Sequence, residues 1–410
     1  MHRFVLLLSA ALLLVPPIPA EAEVKPPPSA PTQVGYHRAD FAGGTAEGVT
    51  AGATLSFSTP AGTREYGGAT WEYARWTSAD TPAGLAATEL IASWTADTPP
   101  GTWIEVELRG TGPLTKWYVM GRWAYGDGDI QRTSVPAQGD VDGSVAVDTF
   151  VAAAGKPVDS YQLRVTLLRK PGVAGPTVRT LGAMASAVPE RKTVPVSAGG
   201  EAWGVELAVP RRSQGIHQGH YPEWDGGGEA WCSPTSTTMV LGYWNKWPSA
   251  ADLAWVDPSD PNPEVDYTAR YVFDYAYDGA GNWPFNTAYA GRYGLDGFIT
   301  RLRSATELER FIKAGIPVIT SQSFKKGELP GAGYGTDGHI FVVVGFTATG
   351  DVIVNDPANA PTNNDVRRVY PRADFEKVWL RSSSSGGIAY IIRPTDRPLP
   401  PGMPGLPANW

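Results

Sequence analysis

The sequence predicts an all-β domain of sandwich or jelly-roll type followed by an α+β domain. Three observations carry that division. With 47 Gly and 37 Pro in 410 residues the chain is rich in turns. From about residue 40 to 189 it reads as short alternating strands, among them Thr102-Trp-Ile-Glu-Val-Glu-Leu108, Trp117-Tyr-Val-Met-Gly-Arg-Trp123 and Ser160-Tyr-Gln-Leu-Arg-Val-Thr-Leu167, separated by Gly, Pro and Asp. From residue 200 to 394 helical patterns alternate with apolar strands.

The flanks are predicted as follows. Residues 1–22 read as a secretory signal: His2-Arg3, an apolar run from Phe4 to Val15 too short to span a bilayer comfortably, and Ala20-Glu21-Ala22 at the cleavage spacing. The mature protein is therefore expected to be secreted, with no stable membrane insertion. Residues 23–39 are predicted as a Pro-rich leader and 190–199 as a linker (Pro195, Gly199). Residues 395–410 are predicted as a disordered Pro-rich tail. A formal charge of −7 without long runs argues against a nucleic-acid partner. Six tryptophans between Trp71 and Trp123 fit either core packing or a sugar- or peptide-binding face.

Within the second domain, helices are expected at Asp266–Tyr275 and Asn286–Tyr293. A capping box at Ser304-Ala-Thr-Glu307 opens another, which Gly315 ends. Strands are expected at Ile316–Ser321, His339–Phe346 and Asp351–Asp356, with a turn at 347–350 between the last two.

Cys232 is the chain's only cysteine. In an exported protein it has no partner for an internal disulfide. It follows the glycine-rich Gly226-Gly-Gly-Glu-Ala-Trp231 and precedes apolar residues at Val240, Tyr243, Trp244 and Trp247, spaced as one helical face. Pro234 suits a first helical turn. Cys232 is thus expected at a helix start, where the dipole favours an anionic sulfur and so a nucleophile.

A thiol nucleophile needs a base. His2 and His37 lie near the start of the chain, and His217 and His220 lie in the loop ahead of Cys232. His339 instead opens a strongly apolar strand. Antiparallel pairing across the four-residue turn brings Asp356 within about two ladder positions of His339, roughly 7 Å along the strand. A carboxylate there can hold one imidazole nitrogen and leave the other for the thiol. Adjacent residues face opposite ways, so only one of Asn355 and Asp356 can do this, and the charged one better steadies an imidazolium. An oxyanion also needs donors. The Cys232 N–H is one, and Gln214, eighteen positions upstream, is the candidate for the second, with Gln218 in reserve.

Val209-Pro-Arg-Arg-Ser-Gln214, Trp231-Cys-Ser-Pro-Thr-Ser236, Gly338-His-Ile-Phe-Val-Val-Val-Gly345 and Val354-Asn-Asp-Pro357 together resemble the C39-like cysteine peptidases of the papain-like superfamily, particularly secreted bacterial members. The resemblance covers about residues 200–394, and Ser93–Ser186 is similar to the β-rich region that precedes this domain in such proteins. It implies a papain-like fold and a peptidase with Cys232 as nucleophile, His339 as general acid/base, Asp356 as orienting group and Gln214 as oxyanion donor. It also implies a peptide or protein substrate and no cofactor or metal. Two other functions are expected to compete with it: amidase or transferase chemistry on cell-wall peptides, and a catalytically inactive two-domain binding protein.

Overall fold

The computed structural model describes residues 32–410 apart from Lys192. The expected signal and the leader up to residue 31 lie outside the described residues. No described helix is long and apolar enough to cross a membrane.

Two seven-stranded antiparallel sheets form the first domain. One is built around Glu89–Asp97 paired with Thr177–Ala187, the other around Thr102–Gly112 paired with Val158–Arg169. Alternation along these strands sends Leu90, Ala92, Trp94, Leu181 and Ala183 from one sheet, and Ile104, Val106, Leu163 and Val165 from the other, into one shared core. The tryptophans at 71, 76, 94, 103 and 123 are all buried, so packing accounts for most of the aromatic cluster.

The leader predicted over 23–39 gives way to a strand, Gln33–Arg38, paired with Ala187–Gly182. Val34 and Tyr36 supply the apolar alternation that buries it, a signal masked by the prolines just upstream.

A six-stranded antiparallel sheet forms the second domain, in the order Leu295–Arg301, Ile388–Pro394, Val318–Phe324, Thr336–Phe346, Val352–Asn355, Arg367–Tyr370. Helices Cys232–Tyr243, Pro263–Val272, Trp283–Ala290, Ala305–Lys313 and Arg372–Leu380 accompany it. Ser304 caps the fourth through the Glu307 N–H. Glu307 does not reciprocate; its carboxylate takes the Arg303 N–H and guanidinium instead, so the expected capping box is only half formed.

The two domains share a continuous apolar core. Phe285 sits between Trp94 and Trp123 of the first domain, with ring centroids 6.1 and 5.3 Å away. The fully buried Arg132 reaches across to donate to the Arg270 and Phe273 carbonyls at 2.8 and 3.4 Å. Arg301 is clasped by Ser186 and Glu89.

The tail is docked rather than disordered. Asn409, wholly buried, donates to the Arg301 carbonyl at 2.8 Å and to Glu307 at 3.0 Å. Trp410 packs edge-on against Phe311, and the Ala408 carbonyl accepts from the Tyr36 N–H of the first domain at 3.2 Å. Proline content hid this, because two terminal side chains, not composition, anchor the segment. Asn409→Ala takes a donor from the buried Arg301 carbonyl and one of two donors from Glu307 Oε2, and is expected to lower stability by about 1–3 kcal/mol, read from the midpoint of urea denaturation.

Candidate active site

Helix Cys232–Tyr243 is buried on every side from Ser233 to Gly242. Its small and hydroxyl residues let it sit against the sheet, where the Ser236 hydroxyl donates to the Ile340 carbonyl at 3.2 Å. The apolar stripe expected for it extends too far: Trp244 is the C-cap and the partly exposed Trp247 lies outside the helix. Burial all round, not amphipathicity, defines this helix. Cys232 is its first residue and is half-buried. The N–H there has no acceptor within the helix, which leaves it available to an anion.

The strand register opposes Val342 to Asn355. Asp356 then follows two positions from His339, and the His339 Nε2 and Asp356 Oδ1 are 2.7 Å apart. Asn355 points the other way, its amide donating to the Val209 carbonyl at 3.2 Å. Asp356 is wholly buried and its remaining lone pairs are filled. The Ala358 N–H donates to Oδ1 at 3.0 Å, and Tyr334 and Tyr370 donate to Oδ2 at 2.8 and 2.5 Å. With Nε2 held, Nδ1 is the ring nitrogen left for a proton exchange.

Burial disfavours a charged His339 ring. The Asp356 carboxylate and the neighbouring Cys232 sulfur outweigh it and hold the ring's pKa up at about 10. Burial would also raise Asp356, yet His339, Tyr370 and Tyr334 keep it below the ordinary carboxylate range. Burial and the Asp356 charge keep both phenols protonated, so they remain donors.

The linkage signs follow. A raised His339 stabilises the fold fully below about pH 6.5, and that contribution is lost as pH rises through about 10. A lowered Asp356 stabilises above about pH 4 and loses its contribution as pH falls through its depressed value. The stability gap between wild type and His339→Gln is therefore expected to be widest near pH 5–6 and to shrink toward both pH 10 and pH 3, as measured by urea melts across pH.

Gln214 lies against the loop entering the helix. Its Nε2 donates to the Glu229 carbonyl at 2.8 Å, its own N–H reaches the Pro357 carbonyl at 3.1 Å, and its Oε1 is buried without a hydrogen-bond partner. One amide hydrogen remains for another acceptor. Close approach requires Gly228: a Cβ there would stand 2.4 Å from the His217 carbonyl carbon and 2.6 Å from the Gln214 oxygen. The reserve candidate Gln218 is exposed and bonds the Glu229 carboxylate.

Sequence reading missed Tyr334 and Tyr370, which complete the Asp356 environment; nothing in their local pattern marks them. It also missed a cleft of about 370 Å³ whose walls come from both domains, including Val147 and Asp148 of the first and Tyr277 and Trp283 of the second. Asp148 is pushed up to about 6, chiefly by burial, although the Trp283 N–H donates to it at 2.9 Å. Tyr277 lies between this cleft and Cys232: burial, the acidic groups Asp225 and Asp148, and the Cys232 sulfur all favour its protonated phenol.

Residues 33–186 match the family model described as the peptidase C39 N-terminal domain, and residues 206–386 match the Peptidase_C39-like family. Among solved structures, one described as a C39-like peptidase from Bacillus anthracis is 21% identical, covering 47% of this chain and 98% of its own, with a TM-score of 0.29. No curated protein matches. Over these two stretches the chain is similar to the C39-like peptidases, with a C39-type N-terminal domain over 33–186 and a C39-like peptidase domain over 206–386.

Proposed function

We propose that this protein is an exported cysteine peptidase of papain-like fold that hydrolyses peptide bonds through Cys232, His339 and Asp356. The observation that carries this reading is the 2.7 Å contact between His339 and a buried, fully donated Asp356, on a ring that also interacts with the Cys232 sulfur.

The sulfur attacks the scissile carbonyl carbon, and the carbonyl electron pair moves onto oxygen. That oxyanion is received by the Cys232 N–H and the free hydrogen of the Gln214 amide. His339 gives its Nδ1 proton to the leaving amine as the C–N bond breaks, leaving a thioester. The neutral ring then takes a proton from water, whose oxygen attacks the thioester, and the sulfur departs with the acid product released. Throughout, Asp356 holds Nε2 and the positive ring, and Tyr334 and Tyr370 hold Asp356.

The test is turnover of a fluorogenic peptide panel, with cell-wall peptide fragments alongside, together with iodoacetamide labelling of Cys232. Peptide hydrolysis and labelling that slows about 10-fold or more in His339→Ala support the reading. Labelling indifferent to that substitution, with no turnover of any substrate, would sink it.

A further inference from the structure

The eighteen-position interval between Gln214 and Cys232 contains two histidines that the proposed chemistry does not use. The turn Gly215–His217 and the residues after it bring both rings onto Asp266, in the first turn of helix Pro263–Val272. His217 Nδ1 lies 3.2 Å from Asp266 Oδ1 and 3.1 Å from Oδ2, and His220 Nδ1 lies 3.0 Å from Oδ1. One ligand atom from each residue falls within 4.8 Å of the others. Donors each about 2.0–2.1 Å from a common zinc ion stand roughly 3–3.5 Å apart, which is the spacing of each imidazole from the carboxylate here.

A second observation points the same way. Asp266 is wholly buried, yet its Oδ2 has no hydrogen-bond partner and faces the His217 ring. Among the described residues, the two imidazoles alone stand within ion-pair distance of it. A buried carboxylate oxygen without a donor is costly, and a bound cation removes that cost. His217 Nε2 is likewise buried and unpartnered, beside the Trp231 ring. Behind His220, Asp260 Oδ1 stands 3.6 Å from Nε2, where a carboxylate can orient a ligating imidazole.

We infer that His217, His220 and Asp266 form a binding site for a divalent transition-metal ion of the zinc type, with its remaining coordination positions open to water. Two imidazoles and one carboxylate suit such an ion better than calcium or magnesium, which favour all-oxygen shells. The sequence alone led to no metal being expected, because His-x-x-His in a glycine-rich loop gives no sign of the carboxylate that helix Pro263–Val272 supplies from outside it.

The ion would tie the segment ahead of Cys232 to that helix. The His217 N–H donates to the Gln214 carbonyl at 3.1 Å, so holding His217 also holds the residue proposed as oxyanion donor. Metal binding itself does not depend on the peptidase reading; this last effect does.

The experiment uses the full chain carrying Cys232→Ser, which removes the thiol as a competing zinc ligand. After chelator treatment and dialysis, zinc chloride is titrated calorimetrically, and bound zinc is counted by elemental analysis. One equivalent is expected, with a higher thermal midpoint on binding. Affinity should fall at least 10-fold in both Asp266→Asn and the more accessible His220→Gln. If Asp266→Asn does not fold, His220→Gln decides the matter. No zinc retained or titrated, or unchanged affinity in the folded variants, overturns the site. Zinc binding in the Cys232→Ser chain, alongside a wild-type chain that turns over no peptide, would leave the site standing while the peptidase reading fell.

Discussion

Cys232→Ser is expected to abolish peptide hydrolysis, lowering kcat/KM on the order of 10⁴-fold or more with little change in thermal stability. Cys232 is half-buried at the start of its helix, and serine keeps the size and the helix N-terminus. What is lost is the sulfur nucleophile. A serine hydroxyl is a weak nucleophile at its ordinary pKa and attacks only as a base takes its proton. Steady-state kinetics on a responsive fluorogenic peptide, with circular dichroism to confirm the fold, is the measurement. Retained turnover would move the nucleophile elsewhere.

The second large effect is expected at Asp356. Asp356→Asn keeps the shape but offers one acceptor oxygen where four donors converge, from His339, Ala358, Tyr334 and Tyr370. An amide NH₂ would also point at one of those donors. The His339 ring loses the charge that holds it protonated, and its preferred tautomer is no longer enforced. We expect kcat to fall about 10²–10⁴-fold with KM nearly unchanged, and stability near neutral pH to fall by about 3–5 kcal/mol, since one partner of a buried ion pair is removed. Tyr370→Phe separates the two consequences. It removes one donor without touching the ring, so it should cost only about 1–3 kcal/mol of stability and far less rate. A rate loss in Tyr370→Phe equal to that in Asp356→Asn would contradict an orienting role for the carboxylate.

Much of this site could be read from the chain because it obeys local rules. Helix-start chemistry marks Cys232. The short turn between two apolar strands fixes their register, so the proximity of Asp356 to His339 follows from counting residues. What the sequence hid depends on contacts between distant segments. Tyr334 and Tyr370 reach Asp356 from a loop and from a neighbouring strand, and Asp266 meets His217 and His220 from another helix. The first-domain strands were legible from alternation, but the edge strand Gln33–Arg38 and the anchoring of Asn409 were not. In both cases proline-rich surroundings outvoted a few side chains with specific partners.

Phe285, wedged between Trp94 and Trp123, and Arg132, donating to carbonyls across the boundary, fasten the two bodies to each other. Val147 and Asp148 of the first body and Tyr277 and Trp283 of the second line one cleft at that boundary. Should that cleft admit the proposed substrate, altering what the protein accepts would mean recutting the amino-terminal module as well as the one that carries the sulfur.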